Sequence, residues 1–329
     1  MTTKTKTEAV TTNSPIVRNR YDALLLIDVE KGNPNGNPDN GGSPRIDPVT
    51  QHGYMTDVCL KRKVRDYIVK ADPTLELYVK KRAILADQQA RAYQAVGLDQ
   101  AGLDDPEEDE GGEETEAPVR KVAPKKGAKK QADLEGIQRA RDYMCKTFWD
   151  ISAFGAVFAG KGPNALGRLM GPIQMTFANS VDPIRVLKEG ITRVAVATVR
   201  ESVDQGALNQ TMGVKYTVPY GLYAGKIFVS PLRAAQTGFT EKDLDLYWQA
   251  LERMWDEDSG AARGYMAMRK LIVFKHSSPL GNASSASLFD RINVGRKPGV
   301  DLAMNFRDYD VSVDTRNMPG GVELMTFPR

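Results

Sequence analysis

The sequence predicts an α+β fold, on three observations: the order of its periodic segments, a low-complexity stretch that separates two of them, and a glycine- and asparagine-rich loop joining a strand to a helix. The principal segments run strand, helix, strand, strand, helix, strand once a helical insertion and a hairpin are set aside. That βαββαβ order is the one used by RRM and ferredoxin-like sheets. At 329 residues, with 41% hydrophobic and 26% charged residues, the chain has the composition of a globular protein able to bury a sizeable core.

In chain order, residues 1–20 are polar and Thr-rich, lack the apolar centre of a secretory signal, and read as a disordered tail. Tyr21–Val29 is a short apolar run, too short to cross a bilayer and suited to a buried strand. A helix begins near Thr56 or Asp57, either of which can cap its first turn; Leu60, Val64, Tyr67 and Ile68 recur on one face. After Pro73, the spacing of Leu77, Lys81, Ile84, Gln88, Arg91 and Ala95 predicts a second helix over Leu75–Val96. Residues 101–132 hold an acidic block, then a basic one, with almost no apolar residues, which predicts a disordered insertion. Lys125, Lys126, Lys129 and Lys130 there face competition from the neighbouring acids for any polyanion.

Helical spacing resumes with Ile137, Ala140, Arg141, Met144, Phe148 and Ile151, and Phe154–Gly155 reads as a buried aromatic beside a close backbone approach. Gly171–Phe177, Ile191–Val199 and Leu222–Val229 read as strands, with strand-like arms about Asn209–Gly213 forming an exposed hairpin. Thr240 and Asp243 cap the clearest helix, whose apolar stripe is Leu244, Tyr247, Trp248, Leu251 and Trp255. Arg269–His276 closes the pattern as a strand, and short strands such as that in Tyr309–Thr315 follow.

The loop from Gly32 to Pro48 carries Gly32, Gly36, Gly41 and Gly42, which permit close approach of another chain, and Asn33, Asn35, Asn37 and Asn40, which both donate and accept. The helix behind it is basic, with Lys61 and Arg65 one turn apart beside the core face. A glycine-rich loop leading into a basic helix suits a polyanion; the alternative is a mobile surface connector before an ordinary charged helix. The net charge of +3 does not separate the two, although without residues 104–130 the remainder holds 39 Lys and Arg against 33 Asp and Glu.

The string NPNGNPDNGGSPRIDP followed by TDVCLKRKVRDYI, within residues 33–68, resembles the signature of type I-C CRISPR-Cascade backbone subunits, the Csd family within the Cas-seven group of RAMP proteins that bind CRISPR RNA. DISAFGAVF, Asp150–Phe158, resembles the same subunits. The resemblance implies a hand-like protein: an RRM/ferredoxin-like palm, a helical fingers insertion and a β-hairpin thumb. The division then expected is a tail at 1–20, palm with loop and basic helix at 21–70, fingers at 71–170, palm strands at 171–200, thumb at 201–220, palm completion at 221–292 and a C-terminal extension at 293–329.

By the same resemblance, Lys61 and Arg65 contact RNA, with Arg45, Asn33 and Asn35 inferred from the loop and Arg62 and Lys63 weaker candidates because they point elsewhere on the helix. Met212, beside Asn209, is the candidate nonpolar thumb tip. The implied partners are CRISPR RNA, target DNA through the guide, copies of the chain head to tail, and the 5′-end-capping and large subunits of Cascade, all in the cytoplasm and without a membrane.

No cofactor, metal or catalytic residue is expected. Gly155, Gly160 and Lys161 fit part of a phosphate loop, but Gly162 stands where its magnesium-holding hydroxyl belongs. His52 and His276 are the only histidines and have no neighbouring ligands at zinc spacing; Cys59 and Cys145 read as buried thiols. The alternatives from other classes are a backbone subunit that cleaves RNA with metal held by Asp28, Asp39, Asp47 and Asp57, and a stand-alone RRM-like RNA-binding protein.

Overall fold

The structure, a computed structural model, describes residues 14–98, 133–160, 164–193, 195 and 211–328. They form two compact units, one of 75–171 and one of the residues on either side. In chain order the elements are β1 (Tyr21–Gly32), β2 (His52–Met55), α1 (Asp57–Ala71), α2 (Leu85–Val96), α3 (Leu134–Thr147), α4 (Trp149–Phe154), β3 (Gly155–Val157) and β4 (Arg168–Met170). They continue with β5 (Ile173–Met175), β6 (Ala178–Pro183), β7 (Leu187–Arg193), β8 (Thr211–Val229), α5 (Pro231–Thr237), α6 (Glu241–Arg253) and β9 (Tyr265–His276). The last are α7 (Ser285–Phe289), β10 (Ile292–Arg296), β11 (Tyr309–Val313) and β12 (Val322–Phe327).

In the larger unit the sheet runs β12-β9-β1-β8-β6-β2, with β5 also on β8, and every pairing is antiparallel. Its centre, β9-β1-β8-β6, takes the fourth, first, third and second strands of the βαββαβ order, which is the ferredoxin-like arrangement. α6 packs on both α1 and β9, and Tyr21 meets Trp248 edge-on with ring centroids 6.0 Å apart.

β1 is apolar at nearly every position because both faces are covered. Alternation places Ala23, Leu25, Ile27 and Val29 on the side of Tyr21 and its Trp248 contact. Leu24 and Leu26 join Tyr220 and Leu222 in a second cluster closed by Ala303, Tyr309 and, around them, Phe289, Ile292, Phe306 and Val311. The C-terminal segment, uninterpreted from sequence, thus supplies the lid on the second sheet face, and β12 extends the sheet beyond β9.

β8 serves two structures. Val218–Val229 pairs with β1, and Thr211–Thr217 pairs with β7, so the strand changes partner between Thr217 and Val218. Expectation and structure differ here. Ile191–Arg193, read as part of a palm strand, lie in the first hairpin arm and pair with Gly213, Met212 and Thr211. Alternation shows that a segment is a strand but not which partner it takes.

The smaller unit packs Tyr78, Tyr93, Ile137, Met144, Phe148, Ile151 and Phe158 into one core. The helix expected over Leu75–Val96 begins only at Leu85. Before it, the Asp150 carboxylate accepts the amides of Tyr78 (2.7 Å) and Val79 (3.1 Å), and Glu76 O accepts Trp149 N at 2.9 Å. These long-range bonds replace the local helical ones. The helical run expected through Ile151 breaks at the buried, extended Phe148. Gly155 has φ +76°, and a Cβ there would meet Leu169 O at 2.2 Å, the close approach that Phe154–Gly155 suggested.

Candidate nucleic-acid interface

The loop after β1 is built from its own asparagines and glycines. Asn37 Oδ1 caps a single 3-10 turn at Pro38–Asn40 by accepting Asp39 N at 3.3 Å, and left-handed Gly41 and Gly42 turn the chain back so that Gly42 N reaches Asn37 O at 2.8 Å. Asn33 Nδ2 donates to Gly42 O at 2.7 Å, and a Cβ on Gly36 would come within 2.9 Å of that same carbonyl oxygen. The returning chain binds the outgoing one, Arg45 N to Asn35 O at 3.1 Å.

This loop is fastened to α1. Asn35 Oδ1 accepts Thr56 N (3.0 Å) and Thr56 Oγ1 (3.2 Å), while Thr56 Oγ1 itself accepts Cys59 N as the helix cap. Arg263, which sequence reasoning passed over, adds a second fastening. Its Nη1 donates to Asn33 O (3.1 Å) and Pro34 O (3.0 Å), and its Nε pairs with Asp258, which also pairs with Lys63. No local spacing signals this arginine, because it acts across some 230 residues of chain.

The structure therefore gathers Asn33, Asn35 and Arg45 in one loop whose base is tied to the helix that carries Lys61, Arg62 and Arg65. Their environments differ. Lys61 is 17% exposed, with Nζ 2.9 Å from Asp57 Oδ2 one turn back, and Arg65 is half-buried. Arg62 is 59% exposed and 3.7 Å from Asp66. Lys63, only 4% exposed against Asp258, holds the fold together. Arg45 Nε is buried without a hydrogen-bond partner among the described residues, as is Asn33 Oδ1. Met212 lies in the hairpin arm opposite Thr192; Asn209, the charged insertion and Lys161–Gly162 lie outside the described residues.

The carboxylates near the loop are spread among separate tasks. Asp28 is buried on β1, accepting Arg269 Nε at 2.7 Å and Tyr220 OH at 3.3 Å, and burial raises its pKa above the usual carboxylate value. A bulge in β9 at Arg269 aims that arginine at it. Asp47 Oδ1 accepts the amides of Val49 and Thr50, which hold its pKa low, and Asp57 faces Lys61. Among the described residues no three His, Cys, Asp or Glu side chains stand where they could share a metal ion, and no helix is long and apolar enough to cross a membrane. Both cysteines are free thiols, and burial pushes Cys145 up to about 12.

A ferredoxin-like sheet whose central strand runs on into a hairpin arm, with a preformed loop fastened to a basic helix, defines the architecture: an α+β palm. Residues 19–314 match the family described as CRISPR-associated protein Cas7, and the chain belongs to that family. A curated relative, the CRISPR-associated protein Cas7 of Haloferax volcanii, is 26% identical over 239 residues, which cover 71% of this chain and 64% of the relative. The chain thus spans less than two thirds of that relative's length. Among solved structures, a chain of a CRISPR RNA-guided surveillance complex in its pre-nicking state aligns with a TM-score of 0.44 at 14% identity over 78% of each chain. A chain of a type III-B Cmr-beta complex bound to cognate target RNA aligns with a TM-score of 0.39 at 13% identity, over 78% of this chain and 61% of that one. Likenesses this loose do not bear on individual residues.

Proposed function

We propose that the chain is the repeated backbone subunit of a type I-C CRISPR surveillance complex in the cytoplasm. It holds CRISPR RNA by its sugar-phosphate chain and presents the guide for pairing with target DNA, without cleaving RNA itself. The observation that carries this reading is the preformed loop fastened to the head of a basic helix, in a chain matching the Cas7 family across residues 19–314. One protein must hold guides of any sequence, so contacts to phosphate and ribose serve while base pairing does the reading. Arg45 is the loop's cation for this role, since a guanidinium can pair with phosphate oxygens through its terminal nitrogens. The one-turn pair of Lys61 with Asp57 is worth only ~0.3–0.5 kcal/mol, so phosphate displaces it readily.

The covered second sheet face supports the same reading over a stand-alone RRM-like binder, since the surface on which RRMs stack bases is occupied here by the chain's own C-terminal residues. Met212 and Asn209 remain the proposed thumb contacts. Copies joined head to tail along the RNA form an open filament, with the 5′-end-capping and large subunits at its ends and side.

The test is Lys61→Glu with Arg65→Glu. The double variant is expected to weaken binding of RNAs of every sequence alike and to flatten the dependence of log K on log salt by about one per lost phosphate contact. Unchanged affinity and slope would remove the helix from the interface.

A further inference from the structure

Next to the loop, β2 turns its other edge toward β6, and there two aromatic rings lie side by side. Tyr54 and Phe177 are parallel to within 4°, with centroids 5.9 Å apart, too far for a face-to-face sandwich, so the rings are slipped and leave ring face uncovered. Phe177 is 47% exposed. They border an open cavity of about 640 Å³, whose polar rim is His52, Asn179, Thr50 and Asp47. The rim is ordered. His52 Nδ1 lies 2.6 Å from Ser180 O, and since a carbonyl only accepts, that nitrogen carries the proton and the ring is held in one orientation. Asp47 is held by the amides of Val49 and Thr50.

The cavity is continuous with the loop interface. Tyr54 N donates to Arg45 O at 3.0 Å, Asp47 N donates to His52 O at 2.9 Å, and Thr56, which ends the same stretch, holds Asn35. A strand of RNA lying on Arg45 and the head of α1 therefore passes its lip. The Asp47 carboxylate disfavours phosphate inside but can accept from a base amino group or a ribose hydroxyl.

We infer that this cavity is a nucleobase pocket, in which one unstacked base of the bound RNA lies on the Phe177–Tyr54 surface. The inference rests on the function proposed above and adds to it a site for a base rather than for the sugar-phosphate chain. Stacking on an aromatic face accepts any base, so the pocket is compatible with guides of arbitrary sequence.

The test compares Phe177→Ala, Phe177→Leu and Phe177→Trp in the full chain, by anisotropy of a fluorescein-labelled single-stranded RNA of mixed sequence across a salt series. Thermal melting checks that each variant folds. Phe177→Ala is expected to weaken binding by about 5- to 150-fold, the loss typical of one stacked base. Phe177→Leu, apolar but without a π-face, should behave like alanine, and Phe177→Trp should bind like the native chain. The salt slope should stay unchanged, unlike that of the Lys61/Arg65 variant. Native affinity in Phe177→Ala, while the Lys61/Arg65 variant is impaired, overturns the pocket and leaves the proposed function standing. So does loss of self-association in sedimentation with RNA affinity intact, which would make Phe177 a contact between protein copies. Failure of the native chain to bind RNA at all overturns both.

Discussion

At the scale of single residues, Asp150 shows how one buried side chain replaces local order. Both of its oxygens are spent on the amides of Tyr78 and Val79, and it is fully buried. Each stranded donor costs ~1–3 kcal/mol, so Asp150→Ala, which strands two, is expected to lower stability by about 2–6 kcal/mol, read as a shift in urea midpoint. Asp150→Asn, which keeps one acceptor, should lose roughly half as much; equal losses for the two variants would argue against this role. None of this could be read from the local sequence, where Leu77 to Ala95 keeps helical spacing throughout. The basic helix was more legible. Its core face follows from spacing, and of the two candidate caps, Thr56 and Asp57, the structure gives the role to Thr56; Lys63 looks like its neighbours until Asp258, brought in from far along the chain, covers it.

Elements with their own punctuation were read correctly, and those that depend on distant partners were not. In α6 the Thr240–Asp243 box is present in both directions, Thr240 Oγ1 accepting Asp243 N at 3.3 Å and Asp243 Oδ2 accepting Thr240 N at 3.0 Å. Thr240→Ala is expected to cost about 1 kcal/mol, measurable as a lower melting temperature with RNA affinity unchanged. By contrast, β8 runs straight through Pro219 and Gly221, residue types that ordinarily interrupt a strand. Pro219 is tolerated because the ladder with β1 is interrupted there, opposite Lys31 with its positive φ. The short strand β2 gave no signal at all. It is recognisable only from its partners, the returning loop on one edge and β6 on the other.

For the whole molecule, the ferredoxin-like order was visible because hydrophobic periodicity survives a long insertion. The covering of the second sheet face left only an indirect trace, the absence of alternation in Tyr21–Val29, which is what a strand buried on both sides looks like. The insertion, residues 75–171, has a core of its own, and the sheet is completed by residues on either side of it. Replacing 75–171 with a Gly/Ser linker of about ten residues, able to span up to ~33 Å, should leave the remainder with a single cooperative melt and an antiparallel-sheet circular dichroism spectrum. A broad, non-cooperative melt would show that the sheet needs the insertion to fold.

The shared strand has a mechanical consequence. β8 passes from the centre of the sheet into the hairpin without a break, so the hairpin is the free end of a beam clamped by β1. A load on its arms therefore arrives as torque on the middle of the sheet instead of being dissipated in a slack neck.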